Sequence, residues 1–165
     1  MDRPHARLPY SAAVSLYELL LFAHVIAAAA WFGAALLSLV LVELAVRGGD
    51  TPGVLKLGEY EDSVAQVLFI PSALVVLGAG IWLTVEGPWS LARDGWVVAG
   101  IVLLAAVFVL GIALIVPAGN RLKALAVANA PDEEIQDQIS RIRALSWIDM
   151  ALLTAAFFVM TVKPF

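Results

Sequence analysis

Residues 14–46 read VSLYELLLFAHVIAAAAWFGAALLSLVLVELAV, a long and almost wholly apolar stretch. Its two carboxylates, Glu18 and Glu43, stand near its ends, and a single histidine, His24, stands between them. A helix needs about 20 apolar residues to cross roughly 30 Å of hydrocarbon. The stretch therefore predicts a first transmembrane helix, and its excess length predicts that the helix tilts or projects from the membrane.

Three further apolar stretches, at about residues 64–85, 96–116 and 145–162, predict three more spans. Residues 54–64 predict a short interfacial helix running into the second span. Residues 132–147 predict a water-exposed helix that enters the membrane as the fourth span, with Asp132 as its N-cap. Pro71 lies inside the second span, where its missing N–H predicts a kink. The predicted fold is all-α: one domain, residues 1–165, forming an integral membrane four-helix up-and-down bundle.

The composition supports a membrane protein and excludes several other classes. Apolar residues make up 62% of the chain and charged residues 15%, against about 45–50% and about 25% in soluble domains. A chain of 165 residues cannot bury that much apolar surface in a core of its own. The net charge of −4 argues against nucleic acid as a partner. With no cysteine, disulfides and thiolate sites are excluded.

The distribution of Lys and Arg predicts the orientation and the location. Arg3, Arg7, Arg93 and Lys163 fall on the side of the chain termini, and six basic residues fall on the other side: Arg47, Lys56, Arg121, Lys123, Arg141 and Arg143. Positive charge favours the cytoplasmic side. We therefore expect a multi-pass protein of the bacterial cytoplasmic (inner) membrane with both termini outside. The first apolar run is too long for a signal peptide, so it is interpreted as a retained first helix.

His24 is the leading candidate for a functional residue, because polar side chains within a span are costly. Tyr17 and Trp31 stand seven residues on either side, which places all three on one helical stripe. One interpretation is that His24 binds haem b through its imidazole, since a single axial histidine can suffice, and that Tyr17 and Trp31 form pocket walls. The alternative is that His24 hydrogen-bonds a neighbouring helix and binds nothing.

A bare copper or zinc ion is not expected, because such a site takes three or four His, Cys or carboxylate ligands. His5 in the N-terminal tail is a weak second ligand. Met150 and Met160 on the fourth span are candidates for an axial thioether, although ordinary packing explains both equally well.

A second group of polar residues is predicted to meet at one end of the bundle: Glu43, Asp62, Gln66, Asn120, Arg121 and Asp149. Arg121 and Asp149 are the expected ion pair, and such a pair mostly fixes helix register. The functional interpretation is that Arg121 holds an anionic group, either a haem propionate or a lipid phosphate. The glycine pattern Gly78-Ala-Gly80, within the second span, indicates close helix packing.

Four stretches carry a resemblance to known proteins: LYELLLFAHVIAAAAWFGAAL at residues 16–36, LGAGIWL at 77–83, VPAGNRL at 116–122 and MTVKPF at 160–165. They resemble an uncharacterised family of bacterial four-helix membrane proteins. Related families are HemJ-type protoporphyrinogen oxidases and CopD-type membrane domains. The resemblance implies haem binding at His24. The HemJ-type lysine near the start of the third span has no counterpart in GWVVAGIVLL, residues 95–104, so protoporphyrinogen oxidation is not implied. The shortage of His and Met argues against copper transport.

Three functions follow as hypotheses. The first is a haem-b membrane protein, acting as a redox enzyme or an electron-transfer partner, with His24 as the metal ligand. The second is a cofactor-free accessory or structural subunit that joins other membrane subunits or self-associates. A transporter is third, since four spans are few for one. The residues identify no reaction, so whether the protein is an enzyme stays open.

Overall fold

The computed structural model describes residues 14–90 and 93–164. Over these ranges the chain forms four long helices. The first is α1 (Leu16–Arg47). The second combines α2 (Thr51–Val64) with α3 (Ile70–Glu86), and the third combines α4 (Gly95–Leu110) with α5 (Val116–Val127). The fourth is α6 (Asp132–Val162). All four are long and apolar enough to span a membrane, which confirms the predicted all-α membrane bundle.

Local sequence sets where these helices begin. Ser15 caps α1 in a reciprocal capping box, in which its hydroxyl accepts from the Glu18 N–H and the Glu18 carboxylate accepts from the Ser15 N–H. Asp50 caps α2 by accepting from the Gly53 N–H at 2.9 Å. At α6 the predicted cap is displaced by one residue. Pro131, with extended backbone, takes the cap position, and Asp132 is the first helical residue.

Each of the two middle helices contains one π-helical turn, at Ala65–Phe69 and at Gly111–Ile115. In both cases a proline follows shortly afterwards, Pro71 in α3 and Pro117 in α5. Proline has no N–H to donate to the preceding turn, and a π turn is one way in which a helix accommodates that loss. The expected irregularity at Pro71 therefore takes the form of a π turn, and the same feature recurs at Pro117.

The bundle has two distinct ends. The charged end carries the turns at residues 48–50 and 128–131, and the tryptophan end carries the connection 87–94 with Trp89. The sequence predicted long loops at the charged end. The helix predicted at residues 54–64 is confirmed as part of α2, whereas residues 116–127, placed mostly in a loop by the sequence, are helical, so the spans at about 64–85 and 96–116 are parts of longer helices. The charged ends of these helices extend past the predicted spans.

Tight apolar packing is found at the charged end. Val54, Leu122, Ile135 and Ile139 form a buried cluster, and Ile139 is only 2% exposed. Here α2 packs against α5, so the second and third helices are in contact. Towards the tryptophan end α1 packs on α3 and on α6, and α4 packs on α6. Within the described ranges α3 and α4 do not pack along their length, which leaves that side of the bundle open to lipid.

Candidate functional site

His24 lies on α1 and faces α3 at the position of Gly80. A Cβ atom on Gly80 would lie 3.1 Å from His24 Cε1 and 3.4 Å from His24 Nδ1. The backbone of Val76, one helical turn before Gly80, also lies beside the imidazole. The absence of a side chain on Gly80 is therefore what gives the ring its place between the two helices.

The buried ring nitrogen of His24 is the unusual feature of this contact. His24 Nδ1 is closed to solvent and has no hydrogen-bond partner among the described residues. A buried polar atom left without a partner costs about 1–3 kcal/mol. Such atoms are uncommon in folded proteins and call for a structural or functional explanation. The Val76 backbone of α3 is nevertheless within hydrogen-bonding reach of the imidazole, so the interpretation in which His24 hydrogen-bonds a neighbouring helix stands beside the functional one.

Trp31 and Tyr17 flank His24 along α1, and both are partly buried. Seven residues of helix correspond to about 10 Å, so the two rings lie well above and below the imidazole. The Trp31 ring meets Phe108 of α4 edge-on, with 5.4 Å between ring centroids. Phe108 was not anticipated from the sequence, because nothing distinguishes it from other apolar residues of the third helix. Trp31 and Phe108 join α1 to α4 across the bundle.

The two methionines of α6 occupy different surroundings. Met150 is buried, at 7% exposure, and its carbonyl accepts a hydrogen bond from the Thr154 hydroxyl at 2.7 Å. Met160 is partly exposed, and its methyl group fills the space that a side chain on Gly100 of α4 would take. His5 lies outside the described residues.

These residues fit haem better than a bare metal ion. Residues 14–90 and 93–164 contain no group of three or more His, Cys, Asp or Glu side chains that could hold a metal. Haem supplies four equatorial nitrogens of its own and needs one or two axial ligands from the protein. His24, whose Nδ1 is unpaired among the described residues, supplies one imidazole of the kind that can serve as such an axial ligand.

The predicted Arg121–Asp149 ion pair is wrong: these two residues do not pair in the described structure. Instead Arg143 binds Glu43 through two nitrogens, with Nη2 2.7 Å and Nε 3.0 Å from Oε2. Lys123 binds Asp62 at 2.7 Å. Which charges meet depends on the rotation of each helix about its axis, and Arg143 comes to face α1 while Arg121 is exposed.

Arg121 and His24 are not brought together. Arg121 precedes Leu122, which belongs to the charged-end cluster, and Val42 and Val46 of α1 pack against that cluster. His24 lies nineteen residues before Glu43 on the same helix, which is about 28 Å at about 1.5 Å per residue. One macrocycle does not span that distance, so Arg121 and His24 belong to different parts of the protein.

The tryptophan end has an aromatic cluster of its own. Trp89 and Trp96 meet edge-on at 5.0 Å, and the Lys163 ammonium lies 4.1 Å from the Trp89 ring centroid. Cation–π contacts of this kind are typical at a membrane interface, where the lysine stem stays in apolar surroundings. The cluster ties the end of α6 to the start of α4.

A family model described as "Predicted integral membrane protein (DUF2269)" matches residues 18–164. No curated protein and no solved structure matches the chain.

Proposed function

The chain belongs to the DUF2269 family of predicted integral membrane proteins, and we propose that it holds a haem b within the membrane through the imidazole of His24. The observation that carries the proposal is the buried His24 Nδ1, which lacks a partner among the described residues. The packing of the ring against Gly80 supports it. Bound haem would supply one-electron redox chemistry.

The surroundings of His24 define what the protein contributes to such a site. The imidazole lies eight residues after the start of α1 at Leu16, about 12 Å along the helix from the tryptophan end. Trp31 and Phe108 lie on the charged-end side of it and Tyr17 on the tryptophan-end side. These rings would exclude water and present apolar walls. Arg121 is too distant for this role and remains a candidate for contact with a lipid phosphate.

The charge distribution supports a location in the bacterial cytoplasmic membrane with the charged end inside and both termini outside. Exposed Arg121 and Arg141 lie at the charged end. In this orientation the proposed haem lies nearer the outer face of the membrane. An electron would then pass between the haem and a partner on the outer side or within the bilayer.

Reconstitution with haem tests the proposal. Purified protein is titrated with haemin in mild detergent, and the Soret absorption is followed for wild type and His24→Ala. We expect saturable binding to wild type that His24→Ala abolishes. Trp147→Phe is a matched control on α6, because Trp147 is 55% exposed and faces outward; it should bind as wild type does. A wild-type protein that stays colourless contradicts the proposal.

An accessory or self-associating subunit without a cofactor is the second candidate, and one surface favours it. Trp147, Ala151, Ala155 and Phe158 line an outward-facing groove on α6. Small residues spaced by four on a membrane helix allow another helix to approach closely. Under this hypothesis Ala151→Leu weakens co-purification with another subunit or with a second copy, and His24→Ala does not. A monomer that purifies without any companion in mild detergent argues against it.

A further inference from the structure

We propose that two arginines at the charged end, together with the groove on α6, form a binding site for one anionic phospholipid. Arg47 and Arg143 hold the phosphate, and the groove takes an acyl chain. The inference goes beyond the proposed function, because the site lies at the other end of α1 from His24 and needs no haem. It depends on three observations: a positive charge in excess, unused N–H donors on both guanidiniums, and a groove that begins one helical turn away.

A single carboxylate, that of Glu43, is shared by both guanidiniums. Arg143 of α6 donates to Oε2 from Nη2 at 2.7 Å and from Nε at 3.0 Å. Arg47 of α1 donates to Oε1 from Nε at 3.1 Å, and Arg143 Nη2 reaches the same oxygen at 2.9 Å. Two positive charges therefore meet one negative charge, and one positive charge is left in excess.

Both guanidiniums have donors to spare. Among the described residues, Nη1 of Arg143 and both terminal nitrogens of Arg47 make no hydrogen bond. The Arg47 side chain is 72% exposed and that of Arg143 29%, whereas the Glu43 side chain is only 16% exposed. The arginines, and not the carboxylate, therefore face outward. Planar donors of this kind match the oxygens of a phosphate.

The arginine pair lies at the level of the lipid headgroups. Arg47 follows the first predicted span, which ends at residue 46, and Arg143 precedes the fourth, which begins at about residue 145. The acidic residues in the first turns of α6, Asp132 to Asp137, lie six or more residues before Arg143, which is at least about 9 Å further from the hydrocarbon. Basic pockets between membrane helices on the cytoplasmic side are typical binding sites for anionic headgroups.

The α6 groove continues from the arginine pair into the membrane. Arg143 is one turn before Trp147, so the two side chains share a face of α6. The volume of the groove is about 520 Å³, within the range of about 300–1,000 Å³ of ordinary ligand sites. From Trp147 to Phe158 the groove extends about 16 Å along the helix, which is about half of the roughly 30 Å of hydrocarbon. It therefore matches an acyl chain of one leaflet in length. The residues that line it are Trp147, Met150, Ala151, Thr154, Ala155 and Phe158.

A lipid fits the combined surface better than another helix does. The small side chains of Ala151 and Ala155 admit either one, so the groove alone does not decide. The arginine pair decides, because a buried charge without a partner is costly. A helix packed there must bring a carboxylate at the same level, whereas an anionic lipid carries its phosphate and its acyl chain in the required order.

The test measures lipid binding to the full-length protein in a neutral detergent by native mass spectrometry. Dioleoyl phosphatidylglycerol and dioleoyl phosphatidylcholine carry the same chains and differ in charge. Wild type should bind phosphatidylglycerol about five-fold more tightly, the contribution of one basic charge near an anionic headgroup. Arg47→Gln should abolish this preference, while Glu43 stays paired with Arg143 and the ion pair between α1 and α6 is kept.

Two further variants separate the parts of the site. Arg141→Gln is the matched control: it removes the same charge from an exposed arginine of α6 that lies two residues, about 200°, around the helix from Arg143, and it should keep the preference. Ala151→Leu fills the groove and should weaken the binding of both lipids.

The outcomes distinguish a lipid from other occupants. Equal affinity of wild type for the two lipids, or an equal effect of Arg47→Gln and Arg141→Gln, overturns the assignment. If inorganic phosphate displaces phosphatidylglycerol and Ala151→Leu changes nothing, the pair binds a free anion and the lipid assignment is wrong. If the protein purifies as a lipid-free complex that Ala151→Leu dissociates, the groove holds another helix and the assignment is also wrong. None of these results depends on haem, so the proposed function is tested separately.

Discussion

Replacing Gly80 by alanine is the substitution whose effect on the His24 site the structure defines best. The added Cβ would lie 3.1 Å from His24 Cε1, whereas two carbon atoms prefer about 3.5–4.0 Å. The imidazole, or α3 itself, must therefore give way by a few tenths of an ångström. Gly78, two residues earlier on α3, offers a matched control, since a Cβ there meets no described atom within 4 Å.

The expected difference between the two variants follows from opposing terms. Alanine stabilises a helix by about 1 kcal/mol relative to glycine. Gly78→Ala should therefore raise the free energy of unfolding by this amount, because nothing opposes the added Cβ. At Gly80 the same gain is opposed by overpacking, which costs about 1–3 kcal/mol. If that strain displaces the ligand, haem affinity of Gly80→Ala should fall by roughly 5- to 150-fold, since about 1.4 kcal/mol corresponds to a factor of ten.

Two assays read out this prediction. Thermal unfolding in detergent should give a higher midpoint for Gly78→Ala than for Gly80→Ala, whether or not haem is present. Haemin titration should show weaker binding for Gly80→Ala alone. If the two alanine variants have the same midpoint and the same haem affinity as each other, the packing of His24 against Gly80 is refuted.

Three further predictions concern the bundle itself. Ile139→Ala should lower the free energy of unfolding by about 2–5 kcal/mol, because it opens a cavity in the charged-end cluster. The control Leu74→Ala removes a side chain that is 65% exposed and should change the unfolding midpoint far less. Equal losses of stability in the two variants would contradict the location of the core at the charged end. Asp50→Ala should cost about 0.5–2 kcal/mol through loss of the α2 cap, and Asp50→Ser should recover most of it in the same unfolding assay; no recovery would argue against capping. Because the chain has no cysteine, a single introduced cysteine reports which side of the membrane it occupies. Asn129→Cys, at the charged end, should react with an impermeant maleimide only after the cell membrane is opened, whereas Ser90→Cys, at the tryptophan end, should react in intact cells. The reverse labelling pattern would contradict the proposed orientation with the charged end inside.

The spans could be predicted from the sequence because one physical requirement determines them. Runs such as residues 14–46 must satisfy their backbone polar groups internally in lipid, so helix is the form available to them. The ends of the helices were less predictable. Most of residues 116–127 lie beyond the predicted span and are polar enough to suggest a loop. They form α5 and continue the third helix, because α5, with Leu122 in the charged-end cluster, packs against α2 and α6.

The pairing of side chains between helices was harder to infer. His24 stood out because it is polar within a span, and the Gly78-Ala-Gly80 pattern indicated close packing. Only the rotation of α3 about its axis decides that Gly80, and not Gly78, faces the imidazole. In the same way, the rotations of α1, α5 and α6 decide that Glu43 meets Arg143 and that Arg121 does not pair with Asp149. Hydropathy leaves these rotations open, because much of the surface of each helix faces lipid.

The amount of haem bound to the protein purified from its native membrane tests whether His24 holds a haem. The haem-to-protein ratio is measured for wild type and for His24→Ala expressed and purified in parallel, with Gly78→Ala as the control for handling. If His24 holds the haem, wild type and Gly78→Ala should carry haem in a fixed ratio to protein, and His24→Ala should carry none. Wild-type protein that carries no haem and takes up none on reconstitution, or His24→Ala protein that carries as much haem as wild type, would contradict it.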